Sequence, residues 1–136
     1  MEDNSKNRLH NVFFYGLYMD PEIFESKGVK IRNARKAYAD HHELRIGNKA
    51  TLLRAENKQA HGMVYSLTHA EINSLYWGAG LDDYVAEAVL VKTEHEILAA
   101  LCCNLLVPPE SAESNADYSQ KLKKVMEKLQ LPMSFS

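Results

Sequence analysis

Cysteine is scarce in this sequence: there are two, Cys102 and Cys103, side by side. No C-x-x-C spacing exists, so neither a zinc site nor a dithiol redox motif is suggested. In a strand, two adjacent thiols face opposite ways and serve as small apolar fillers. Long hydrophobic runs are also missing, and none approaches the ~20 residues of a membrane span. Met1 to His10 is polar and lacks the apolar stretch of a signal peptide, so a cytoplasmic location is expected. There is no excess of either charge. A formal net charge of −2 over 136 residues gives no support for a nucleic-acid partner. The six histidines are scattered, with no H-E-x-x-H pair. His41 and His42 are adjacent in a predicted strand and so face apart, and no metal is expected. Ser66 and Ser74 lack a G-x-S-x-G setting. Gly78-Ala79-Gly80 is not followed by a phosphate-binding pattern, and no cofactor is implied. Internal repeats and low-complexity tracts are absent.

What is present reads as one globular domain over residues 1–136, with residues 1–10 frayed. Apolar residues make up 46% and charged residues 25%. Val12 to Tyr15 reads as a strand ended by Gly16. Asp20-Pro21 starts a short helix with Ile23 and Phe24 on its apolar side, and Gly28 stops it. Ala34 to Ile46 reads as one or two strands, followed by a Gly47-Asn48 turn. Ala50 to Leu53 and Gly62 to Leu67 read as two strands separated by a polar turn at Glu56-Asn57-Lys58. Thr68-x-x-Glu71 is a capping-box pattern that opens a helix carrying Ile72, Leu75 and Tyr76. Tyr84 to Thr93 and Ile97 to Val107 are long apolar strands linked as a hairpin by Glu94 to Glu96. Pro108-Pro109 ends the second of them. Tyr118, Leu122, Val125 and Leu129 form the stripe of a last helix, with Lys121, Lys123, Lys124 and Lys128 on its solvated face. Short turns and a majority of strands predict an α+β fold: a mixed, strongly curved sheet or small barrel with flanking helices near 20–27, 68–77 and 116–129.

Several pieces then fall in a fixed order. Phe14-Tyr15-Gly16-Leu17-Tyr18-Met19 ends the first strand. Ala50-Thr51-Leu52 follows, then His61-Gly62-Met63-Val64-Tyr65, and Tyr84 heads a later strand. Over residues 12–107 this order resembles the gamma-glutamylcyclotransferase-like family. That family opens with a Tyr-Gly-Ser-x-Met-like strand end and continues through Ala-Thr and Gly-x-Val-Tyr strands. Its next helix ends near Leu-Asp-x-x-Glu-Gly. The resemblance implies a pocket for a gamma-glutamyl or other small carboxylate ligand, lined by Tyr15, Gly16, Leu17, Tyr18, Ala79 and Tyr84. Backbone N–H groups at the Gly16 turn would form a nest for a carboxylate or oxyanion. The implied chemistry is attack of an α-amine on its own side-chain amide, releasing 5-oxoproline and a free amine. One carboxylate moves the protons.

The family's glutamate aligns with Ala79, and its loop serine with Leu17. Ala79 cannot transfer a proton, so little cyclotransferase activity is expected. Alternation from Tyr84 places Asp82 on the pocket side, with Asp83 and Glu87 facing away. Asp82 is thus the candidate for a relocated acid/base, and a solvated turn is the other reading of Asp82-Asp83. A ligand-binding pocket protein ranks first. An amide- or amine-transfer enzyme with a relocated acid/base and a non-catalytic partner-binding domain stay open, as does the oligomeric state.

Overall fold

The computed structural model of the protein describes residues 7–132. Alternation along the first strand organises it. In β1 (His10–Phe14), Val12 and Phe14 join one buried cluster, while Phe13 and the following Tyr15 join another. The other strands are β2 (Arg35–Ile46), β3 (Ala50–Leu67), β4 (Tyr84–Lys92) and β5 (Ile97–Leu105). They close into a barrel in the order β1-β3-β2-β4-β5. Every pairing is antiparallel except β1 with β5, which is parallel at Val12 and Leu101. The fold is therefore the small mixed barrel that the short turns predict.

The two clusters are the two sides of the barrel wall. Inside, Ala37, Ala39, Ala60 and Ala100 leave room for Phe13, Tyr15, Val64 and Val91. Small and large residues alternate in this way when few strands close. Outside, Phe14, Tyr65 and Leu67 pack under α1 (Pro21–Ser26), α2 (His69–Leu75) and α3 (Ala116–Leu129). Cys102 faces inward and Cys103 outward, as alternation requires. Burial pushes both thiols up, Cys103 to about 11, which leaves them inert at neutral pH.

Local signals account for the helix starts. Asp20 Oδ1 accepts from Glu22 N at 3.1 Å, with Pro21 in the first helical position. Thr68 and Glu71 form the reciprocal capping box, and Arg32 pairs with Glu71 at 2.7 Å. Gly62 allows β1 and β3 to meet: a Cβ there would collide with the Phe14 carbonyl oxygen.

Three expectations need correction. The polar segment Glu56-Asn57-Lys58 is not a turn between two strands, because β3 runs unbroken from Ala50 to Leu67. The register slips instead: His41 alone opposes residues 55–58, and His41 and Asn57 both take left-handed backbone, φ 61°. The bulge also breaks the alternation assumed for His41 and His42. Lys128 is exposed as expected, and its Nζ lies 2.6 Å from Asp20 Oδ1, which ties α3 to the head of α1. Of residues 1–10, expected to fray, residues 1–6 lie outside the described residues, and His10 is already paired with Leu67. Among the described residues, no helix is long and apolar enough to cross a membrane.

Candidate functional site

β1 runs into Tyr15 and Gly16 and then a single 3₁₀ turn, Leu17–Met19. This loop sits at one end of the barrel, where the β2–β3 turn, the start of β4 and the first turn of α3 converge. Between them is a pocket of about 240 Å³. Tyr15, Gly16, Leu17, Tyr18 and Tyr84 all line it, so the structure brings together residues up to 69 positions apart. Lys49, Ala50, Tyr76, Leu81 and Tyr118 complete most of the wall.

Ala79 is not among the lining residues. It is exposed at the outer tip of the turn from Tyr76 to Asp83. That turn closes through Leu81 N donating to Tyr76 O at 2.8 Å, with Gly80 in left-handed backbone at φ 82°. The closure puts Leu81 in the pocket and Ala79 outside. Asp82 is exposed and outside the lining as well. The reason is that β4 begins at Tyr84, and Tyr84 N donates to Leu81 O at 3.2 Å to end the turn. Strand alternation therefore does not reach back to Asp82. Asp83 pairs with Lys49, its two oxygens 2.9 and 2.8 Å from Nζ.

The loop also differs from the expected nest. Gly16 is extended, at φ −117°, a conformation open to any residue. Its glycine is required by a neighbour: a Cβ at 16 would collide with the Tyr118 hydroxyl. That hydroxyl accepts the Leu17 N–H at 3.2 Å, so the backbone donor at the heart of the expected nest already has a partner.

Five tyrosines surround the cavity, and three of them donate to backbone carbonyls. Tyr15 donates to Cys103 O at 2.6 Å, Tyr18 to Leu75 O at 2.5 Å, and Tyr84 to Ala50 O at 2.5 Å. Burial pushes all five phenols up, Tyr118 included, where the Leu17 N–H opposes the shift. All are neutral at pH 7. Among the described residues, no carboxylate or imidazole lines the pocket. These residues offer aromatic walls, hydroxyl oxygens and one ammonium, and nothing that would accept a proton near neutral pH.

Two residues beside the pocket hold its wall. Thr51 Oγ1 accepts from Leu105 N at 2.9 Å, joining β3 to β5. Trp77 Nε1 donates to Tyr84 O at 3.0 Å, fastening the exposed turn to β4. Sequence reasoning missed Tyr118, Leu81 and Lys49 as pocket residues. For Tyr118 a signal existed: a tyrosine heading an apolar helix stripe pairs a ring for burial with a hydroxyl that needs a partner. Among the described residues, no three His, Cys, Asp or Glu side chains group to hold a metal.

No protein-family profile matches the sequence, and no curated protein sequence does. Solved structures do share the fold. A gamma-glutamyl cyclotransferase superposes with a TM-score of 0.78 at 21% identity, over 92% of this chain and 82% of that one. YkqA from Bacillus subtilis gives 0.75 at 20% identity, over 90% of this chain and 49% of that one. An uncharacterized protein from Homo sapiens gives 0.78 at 18% identity, over 93% of this chain and 83% of that one. At these identities the likeness establishes the architecture.

Proposed function

We propose that this protein is a single gamma-glutamylcyclotransferase-like domain whose pocket binds a gamma-glutamyl compound, 5-oxoproline or a similar small carboxylate. On this reading it does not catalyse cyclotransfer. The observation that carries the reading is the content of the pocket: the Tyr15–Tyr18 loop and Tyr84 meet there, and no carboxylate is present among the described lining residues. The likeness to a solved gamma-glutamyl cyclotransferase supports the choice of ligand class. The lack of a carboxylate among the described lining residues supports the loss of turnover. Intramolecular attack requires the α-ammonium to lose a proton and the leaving amine to gain one. Without a positioned group to move them, the rate falls by about 10²–10⁴. A relocated acid at Asp82 finds no support in its exposed place outside the pocket. Lys49 gives the mouth a cation for a ligand carboxylate, in exchange for Asp83. A chain without disulfides suits the reducing cytoplasm.

The test is a titration of isotope-labelled protein with 5-oxoproline, followed by backbone amide shifts. Saturable shifts at Tyr15 to Tyr18 and at Tyr84 are expected. Shifts confined to other surfaces, or none at millimolar ligand, would count against the reading.

A further inference from the structure

The barrel wall has an open seam apart from the tyrosine-lined pocket. β2 and β4 are neighbours, yet they pair only at Tyr38 and Lys92. Just past that pair β2 carries the bulge at His41, and a bulge bends and twists its strand. The seam holds a cavity of about 330 Å³. Its polar side chains come from the inner faces of both half-walls. Glu87 pairs with Cys102, which faces inward, and Asn104 follows two residues later on the same face. Arg54 lies two residues after the inward Leu52 and pairs directly with His42. Arg54 and Glu87 are thus inward charges that stay exposed because the wall is open there. All four side chains line the cavity. The carboxylate is held in place: Glu87 Oε1 accepts from Asn104 Nδ2 at 3.0 Å, and the Cys102 thiol donates to Asn104 Oδ1 at 3.5 Å. His42 Nδ1 donates to Asp40 O at 2.8 Å, which leaves Nε2 of the neutral ring as an acceptor. The Arg54 guanidinium has no partner among the described residues, and no ion pair joins it to Glu87.

We propose that this seam is a second ligand site, for the zwitterion of an α-amino acid with an apolar side chain. The cavity offers a cation on one wall and a carboxylate on the other, and the two do not neutralise each other directly. An α-amino acid carries the complementary charges on one carbon. Its carboxylate takes the planar fork of Arg54, whose paired N–H groups match the carboxylate oxygens. Its ammonium meets Glu87 and His42 Nε2. Its side chain lies on Leu52 and Val89, where the seam reaches the inner core. The volume is at the small end of ligand cavities, as an amino acid requires. A simple anion or a simple amine satisfies one wall and leaves the other charge without a partner, so neither alone should bind well. The seam shares no lining residue with the tyrosine-lined pocket, and the proposal stands apart from the reading of that pocket.

The test is a titration of isotope-labelled protein with L-valine, 3-methylbutanoate (no ammonium) and 2-methylpropylamine (no carboxylate), read from backbone amide shifts. L-Valine should give saturable shifts at Leu52 to Arg54 and at Glu87 to Val89. Each truncated probe should bind there about tenfold more weakly or worse. Shifts at Tyr15 to Tyr18 belong to the other pocket and are scored apart. Arg54→Gln and Glu87→Gln remove one charge each and should each weaken L-valine about three- to tenfold. Their melting temperatures should stay close to that of wild type, because both side chains are exposed. The absence of seam shifts at tens of millimolar L-valine would overturn the proposal. So would 3-methylbutanoate binding at the seam as tightly as L-valine, or L-valine affinity unchanged in both folded variants. The comparison of probes needs no variant, so it decides the matter even if a variant folds poorly.

Discussion

The two walls of the pocket are held in different ways. The loop after β1 is tied down from several elements at once. Tyr15 reaches Cys103 in β5, Tyr18 reaches Leu75 in α2, Met19 receives the Tyr65 hydroxyl from β3, and Leu17 donates to Tyr118 in α3. The opposite wall, the turn from Tyr76 to Asp83, is anchored near its ends by Trp77, Leu81 and the Lys49–Asp83 pair. Its tip at Gly78, Ala79 and Gly80 is exposed. One wall is a fixed template and the other a fastened turn with a free tip. A side chain at the tip can change at little cost to the fold, whereas a change in the loop disturbs the core. Changes at the exposed tip therefore leave the pocket's shape intact.

The largest effects should come from the first wall. Phe14 is 1% exposed and packs edge-on against Phe24 at 5.1 Å between ring centres. Phe14→Ala should cost about 3–5 kcal/mol in urea unfolding and weaken ligand binding with it. A cost below about 1 kcal/mol would break the contrast between the walls.

Next in size is Tyr65→Phe. The Tyr65 hydroxyl, which burial pushes up to about 12, donates to the Met19 carbonyl at 2.6 Å, and both residues are fully buried. Removing it strands that carbonyl, with an expected loss of about 1–3 kcal/mol. Loosening of the loop should show as faster amide exchange at Leu17 to Asp20.

A smaller effect concerns pH. His10 lies against His69 with ring centres 4.1 Å apart and planes tilted by 49°, and burial, His69 and Arg8 hold its pKa below the usual value. Burial lowers His61 in the same direction. The unfolded chain therefore takes up these protons first. Stability is full above the ordinary histidine value, about 6.5, and declines as pH falls through it toward the lowered folded values. Asp40, Glu71 and Asp83 are lowered carboxylates, whose contribution is lost only in a more acid window, below about pH 4. Denaturant midpoints at pH 7.5 and 5.5 should differ in wild type, and the difference should shrink in a His10→Gln, His61→Gln double variant.

The smallest change in stability is expected at the second wall. Ala79→Glu should stay within about 0.5 kcal/mol of wild type in the same unfolding assay. A larger loss would mean that the tip is packed more tightly than its exposure indicates.

Most of the barrel was legible because its signals are local. The Thr68–Glu71 box, the Asp20-Pro21 start and the β4–β5 hairpin each announce themselves within a few residues. The unbroken β3 was not, because Asn57 in left-handed backbone looks the same in a bulge as in a turn until its partner strand is known. At the site, Tyr15 to Tyr18 and Tyr84 were legible through the ordered motifs. Tyr118 was not. Its stripe foretold burial, but its meeting with Leu17 spans 101 positions and depends on where α3 docks. Asp82 was misplaced because a period of two was extended past the residue where the strand begins.

The central claim is that the pocket binds without turning over. The most direct measurement is release of 5-oxoproline from a gamma-glutamyl amine, run with wild type and with Ala79→Glu at equal concentration. The account predicts that wild type releases no more than buffer does, and that the glutamate variant does no better, because position 79 lies outside the pocket. Wild-type turnover in the ordinary enzymatic range, about 1 s⁻¹ or faster, would contradict it and show that proton transfer at this site needs no carboxylate at position 79.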